Sequence, residues 1–340
     1  MRNIPANHKP NANAWTSDIP NNITHIVFAQ IGIQVKEIRN TTNFLKEIRE
    51  SILLEHGPKH YEVSIYKDSE QHINHVILAY WDDLQSYHTW LKHPEVRNWW
   101  VGKLIKKNSP IGYWSEISTI QITHFETLYS REDQKTGVSH FIPIKPTNIH
   151  EYWGAMRDRI PVSATVDLKN DFKSKLSIKN DKDNFGKRIK VIVPEKVCLI
   201  RTGQDWSNCG PDEKKTYLDL VKPTLKKGSH YLDNHPKESG CISSNLLYEV
   251  DANNDFLEKS CVLAYFTSIV DLERWTHTHP THKVIYETFY EMLKRYDYST
   301  DLFLWHEVSV IEPEDLDLNY INCHPKTGFI PYFENIETDL

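Results

Sequence analysis

Leu78-Ala79-Tyr80-Trp81 opens a segment that runs on through Tyr87, Trp90, His93 and Pro94, and Leu263-Ala264-Tyr265-Phe266 opens one that runs on through Leu272, Trp275, His279 and Pro280. The Ala-Tyr pairs lie 185 residues apart and the His-Pro pairs 186. Further on, Tyr113-Trp114-Ser115-Glu116-Ile117-Ser118 is echoed by Leu304-Trp305-His306-Glu307-Val308-Ser309 at a separation of 191. Order and spacing together identify a duplicated unit, and a repeat missed at this stage misassigns the whole fold. Upstream, the strand-like run Thr24 to Val35 occupies the place that Lys190 to Thr202 holds before the second copy. Each copy therefore reads strand, helix, strand, helix, strand.

Periodicity supports this division. Leu302, Leu304, His306, Val308 and Val310 share one face of a predicted strand, and Phe303, Trp305, Glu307 and Ser309 share the other. The helix before it starts with Pro280 at its first position, where the missing N–H costs nothing. From there His282, Ile285, Tyr286, Phe289 and Leu293 form a core-facing stripe, while His277 and His279 face solvent or cap the helix. The expected fold is α+β: two ferredoxin-like units, each a sheet covered by helices on one face, packed sheet against sheet as a pseudo-twofold dimeric α/β barrel. The first repeat spans residues 19–145 and the second residues 146–335, which includes a connecting segment. Within that segment Asp167 to Arg188, dense in Lys, Asp and Asn of mixed sign, reads as a solvated loop.

Composition narrows the function. The 340 residues are 39% hydrophobic and 25% charged, an ordinary globular balance, so a folded protein of one large or two smaller domains is expected. A net charge of -6 lacks the positive field that nucleic-acid binding requires. No apolar run approaches the roughly 18 residues of a membrane span, and Met1 to Ala14 is polar, so the expected location is the cytoplasm. Twelve glycines are about half the usual share of about 7%, and no glycine-rich nucleotide-binding fingerprint occurs. Five cysteines, odd in number and without a Cys-x-x-Cys pair, read as reduced structural thiols. Ten tryptophans and eighteen histidines point instead to large aromatic pockets and imidazole chemistry.

In a duplicated scaffold the informative positions are those where one copy departs from the other. His282 aligns with Val96 or Arg97 of the first copy, and His306 with Ser115. Either histidine alone reads as a hydrogen-bonded core residue. Together they sit on a helix start and in mid-strand, 24 residues apart, in elements that must be neighbours in a compact unit. An imidazole on an apolar helix face is what a haem iron needs as its axial ligand, and the second histidine can lie across the iron. Other sites fare worse: His279 and His282 have helical metal-pair spacing but no third ligand, and neither a His-Glu-x-x-His nor a Gly-x-Ser-x-Gly run occurs.

Long, irregular motifs extend the reading. Arg274-Trp275-Thr276-His277-Thr278-His279-Pro280-Thr281-His282, Leu304 to Val310, Tyr320-Ile321-Asn322-Cys323-His324-Pro325-Lys326-Thr327-Gly328, Tyr152 to Arg159 and Leu199 to Ser207 resemble the haem-containing aldoxime dehydratases, most closely the phenylacetaldoxime dehydratases of Bacillus type. The resemblance runs from Asn7-His8-Lys9-Pro10 nearly to the end of the chain. It implies a lyase that binds haem b, in the second unit, and converts an arylalkyl or alkyl aldoxime to a nitrile with ferrous iron. It implies His282 as proximal iron ligand, His306 as distal acid and base, and Arg159 as the family's distal arginine. Thr202 falls where many members place a serine that bonds the oxime hydroxyl; threonine keeps the hydroxyl and adds a methyl. Glu126 matches an acidic residue near the family's site, or is an exposed strand-end carboxylate.

The alternatives are a haem oxidoreductase of the peroxidase or chlorite-degrading type, a non-enzymatic haem sensor, and a cofactor-free binding protein. The first two enzyme families use a distal arginine with at most an aspartate, so a distal histidine at 306 speaks against them. A sensor needs no acid or base across the iron. The expected partner is a small-molecule aldoxime, with no nucleic acid and no membrane, and a homodimer is compatible with the chain.

Overall fold

Runs rich in Val, Ile, Tyr and Thr become strands because branched and aromatic side chains pack well on a pleated surface. The computed structural model describes residues 3–37, 42–101, 110–170, 176–179 and 183–338. Its strands are β1 (Trp15–Ser17), β2 (His25–Val35), β3 (His60–Lys67), β4 (Ile73–Trp81), β5 (Ile111–Gln121), β6 (Phe125–Tyr129), β7 (Ile144–Pro146), β8 (Arg188–Ile192), β9 (Val197–Asp205), β10 (Cys241–Val250), β11 (Phe256–Phe266), β12 (Phe303–Ile311), β13 (Leu316–Ile321) and β14 (Glu334–Glu337). The helices are α1 (Thr42–Ile52), α2 (Leu84–Lys92), α3 (Pro94–Val101), α4 (Ala155–Arg159), α5 (Pro211–Thr216), α6 (Lys222–Asn234), α7 (Pro236–Ser239), α8 (Ile269–Thr278) and α9 (Pro280–Arg295). None of them is long and apolar enough to cross a membrane.

The strands join in one antiparallel sheet of order β14-β8-β13-β5-β2-β4-β3-β10-β11-β9-β12-β6-β1-β7. A mixed α/β architecture on an antiparallel sheet thus agrees with the expected class. Each copy contains one strand more than expected, because the single strand between its helices is a hairpin, β3–β4 in the first and β10–β11 in the second. Lys190 to Thr202 also holds two strands: Pro194 interrupts the run, and a proline cannot donate to a ladder. β8 then departs to pair with β13 and β14.

The sheet does not close into a barrel. Closure would pair β5 with β12, but a strand has two edges, and the outer edge of β5 is taken by β13 and that of β12 by β6. The two half-sheets nevertheless face each other across a shared core that includes Phe28, Tyr80, Leu199, Tyr265, Phe303 and Trp305. Their outer faces are covered separately, the first around Val27, Ile77 and Trp90, the second around Val262, Val308 and Leu272. Asp167 to Arg188 is without helix or strand among its described residues up to β8, yet Leu168 and Leu176 are buried, so the segment is pinned rather than wholly solvated.

Candidate active site

The period of two along β12 turns Trp305 and Glu307 inward and His306 and Val308 outward, toward the helices. Register then sets the neighbours. Thr202 of β9 and Leu128 of β6 lie directly beside His306, and Ile200 and Glu126 directly beside Val308. Glu126 is therefore buried with its side chain closed to solvent, and the exposed alternative is excluded by its place inside the sheet. Arg159 ends α4, a short helix held against α8 by Arg157, whose Nη2 lies 2.6 Å from Glu273. Its Nε donates to Glu126 at 2.6 Å, one Nη to the Ile149 carbonyl at 2.5 Å and the other to His306 Nε2 at 2.9 Å.

These contacts specify protonation. Because the guanidinium only donates, His306 Nε2 accepts from it, and the neutral ring carries its proton on Nδ1. The same Nε2 lies 3.0 Å from Glu126 Oε1, so a second proton on the ring would find a carboxylate waiting. Burial pushes the Glu126 carboxyl up, but Arg159 and then His306 outweigh it and hold the group below its ordinary range. It is an anion at neutral pH.

On the facing layer, His279 caps α9, its Nδ1 accepting from the Thr281 N–H, and Pro280 takes the first helical position as expected. His282 follows one turn into the helix, its ring edge-on to Trp275 at 4.8 Å between centroids. Burial pushes its pKa down to about 4, against a weaker backbone hydrogen bond at Thr276, so the imidazole is neutral at pH 7 with a lone pair to give. Tyr286, placed in the stripe by spacing, is instead 62% exposed: His282, Ile285 and Phe289 already fill the inward arc, and Tyr286 is rotated off it.

A profile of the haem-containing dehydratase family matches residues 29–329. The chain belongs to that family. It is 52% identical to the phenylacetaldoxime dehydratase of Bacillus sp. (strain OxB-1), over 99% of this chain and 96% of that one. It is 33% identical to an aliphatic aldoxime dehydratase of Pseudomonas sp., over 97% of this chain and 93% of that one. A crystal structure of an aldoxime dehydratase in complex with butyraldoxime superposes with a TM-score of 0.89 at 30% identity, covering 98% of this chain and 93% of that one.

A haem-containing family calls for a mostly apolar face that is not packed shut, and half-buried residues mark one here. Between α9 and the sheet, Ile200, Thr202, Leu304 and His306 on one wall and His282, Ile285 and Phe289 on the other are all half-open, whereas Cys198, Val262, Val308 and Val310 around them are closed. These mostly apolar side chains, with one neutral imidazole on α9, are a set that would suit a haem and its iron. Of the residues expected from sequence, the structure brings His306, Arg159 and Glu126 into contact and sets Thr202 beside His306 in the register, while His282 lies on α9. Thr202 Oγ1 donates to the Trp305 carbonyl at 3.2 Å. Sequence reasoning missed the Ile149 carbonyl as an anchor for Arg159, since a main-chain acceptor has no residue signature.

Proposed function

We propose that the chain dehydrates aldoximes, R–CH=N–OH, to nitriles, R–C≡N, on haem b with ferrous iron. The observation that carries the reading is the contact of His306 and Glu126, on the sheet, with Arg159 of α4. In this reading His282 would hold the haem iron. When bound, ferrous haem would supply electron density for breaking the N–O bond.

The remaining work falls to the protein. Protonated His306 gives its proton to the departing hydroxyl as the N–O bond breaks, and water leaves with the bonding pair. The neutral imidazole then takes the proton on the oxime carbon, and the C–H electrons complete the triple bond. One histidine ends as it began, acting first as acid and then as base. Arg159 alone would oppose a charged ring; the buried Glu126 anion offsets it and keeps the imidazolium within reach. Thr202, beside His306 in the register, gives its hydroxyl proton to the Trp305 carbonyl and keeps its oxygen lone pairs to accept from the oxime hydroxyl.

Identity of 52% with a phenylacetaldoxime dehydratase supports an arylalkyl or alkyl side chain on the substrate. The sheet order within each half, β5-β2-β4-β3 and β12-β9-β11-β10, supports two ferredoxin-like units, repeats 19–145 and 146–335, related by a pseudo-twofold axis across the shared core. All five cysteines are free and buried, which supports a reducing, cytoplasmic setting. The test is anaerobic incubation of dithionite-reduced and ferric protein with phenylacetaldoxime, followed by chromatography for phenylacetonitrile. Nitrile from the ferrous form only is expected. Equal yields from both states would reject the ferrous mechanism, and no nitrile from either would reject the activity.

A further inference from the structure

The amino-terminal arm, Asn3 to Ala14, contains no helix or strand, yet it is bonded along its length to the segment that ends in Arg159. The Glu151 carboxylate accepts from the Asn11 N–H at 2.6 Å, from Asn11 Nδ2 at 3.1 Å and from the Ala12 N–H at 3.1 Å. His8 Nε2 donates to the His150 carbonyl at 2.8 Å, and its ring meets Tyr152 edge-on at 4.8 Å. Asn3 donates from its backbone N–H and from Nδ2 to Asp158, which also accepts from Tyr152 Oη at 3.0 Å. Glu151 itself has φ +59, a left-handed conformation that a residue other than glycine holds only when its surroundings over-determine it. The arm supplies those surroundings.

We propose that the arm is a strap that positions Arg159, with Glu151 as its latch. The Ile149 carbonyl that anchors the guanidinium lies two residues before Glu151, and Asp158 immediately precedes Arg159. Releasing the strap frees the left-handed turn, moves the Ile149 carbonyl, and lets Arg159 swing from His306 and Glu126. Glu151 is thus a positioning residue: it lies on neither α9 nor the sheet and acts through Arg159. The inference rests on the role given to Arg159 in the proposed reaction.

The test is a double-mutant cycle on the haem-loaded protein, with Glu151→Gln and His8→Ala each made in the wild-type and Arg159→Ala backgrounds. A misplacement of about 1 Å can cost up to about 100-fold in rate, so a fall in kcat of roughly tenfold or more is expected in the wild-type background, with KM, haem content and Tm nearly unchanged. Glu151→Asp, which keeps the charge, is expected to recover part of the loss. In the Arg159→Ala background the same changes are expected to do nothing more. Equal losses in both backgrounds, or full activity in Glu151→Gln and His8→Ala while Arg159→Ala is impaired, overturn the strap alone. Full activity in Arg159→Ala overturns the role of Arg159 and the strap with it.

Discussion

The outer faces of the two half-sheets share one plan, and three of the positions at which they differ are instructive. On the first, Ile31 and Ser115 lie side by side in the register and Val96 enters from the third position of α3, each at most 7% exposed. On the second, Thr202 and His306 take the first two places and His282 the third, from the same position of α9, and the face stands half-open. Inside, by contrast, the halves match closely. A Cβ on Gly32 would lie 2.4 Å from the Trp114 indole, and one on Gly203 would lie 2.3 Å from that of Trp305. Gln30 donates to Tyr265 at 2.7 Å where Arg201 donates to Tyr80 at 2.8 Å. Glu116 and Glu307 are each met by the glycine of a Lys-Thr-Gly turn with positive φ, Gly328 and Gly137. The inner face is shared by both halves, and at these glycines it leaves no room for a side chain. The outer face touches only its own helices, so one copy can be packed shut and the other opened for a cofactor.

The largest break in this comparison is His282→Ala, which returns α9 to the apolar state of Val96. On the role proposed for His282 it should abolish haem binding, while Ile285 and Phe289 keep the helix packed. Pyridine haemochrome content and far-UV circular dichroism measure the two parts, and a full haem complement in the variant would remove His282 as ligand. His306→Ala, which undoes the other histidine difference, should keep haem and lose turnover by roughly 10²–10⁴-fold, the usual cost of a missing general acid and base. Near-normal turnover would return His306 to the status of a core residue.

The closed face offers a test of stability. His75 of β4 is fully buried there, neither ring nitrogen has a hydrogen-bond partner among the described residues, and burial pushes its pKa down to about 4. Between pH 6.5 and about 4 the unfolded chain takes up a proton that the folded chain refuses, so stability falls as pH falls through that window and is fully present above it. Each pH unit costs at most about 1.4 kcal/mol. His75→Leu should flatten the dependence of Tm on pH between 4 and 6.5; an unchanged slope would show that His75 is protonated in the fold. The smallest effect is expected at Thr202. Thr202→Ser should be nearly silent, and Thr202→Val should lower kcat about tenfold or more, the cost of one lost hydrogen bond of about 1–3 kcal/mol in a desolvated site. Equal rates for the two variants would deny the hydroxyl a role.

Much of this was readable along the chain. The face of β12 that holds His306 and the start of α9 at Pro280 with His279 as cap are consequences of local period and backbone stereochemistry, which a window of the sequence contains. His282 and His306 stood out because the other copy has Val96 and Ser115 where they fall. The tertiary structure alone decided that Glu126, at the end of the first repeat, and Arg159, in the connecting segment, close on His306; the last pair meets across 147 residues of chain. It also decided that β13 and β6 occupy the edges that would have closed a barrel, and that Tyr286 turns out to solvent. Local period says which side chains share a face, but which face or edge meets which is settled by the pairing of distant strands, and an edge already occupied is a fact about the whole fold rather than about any stretch of it.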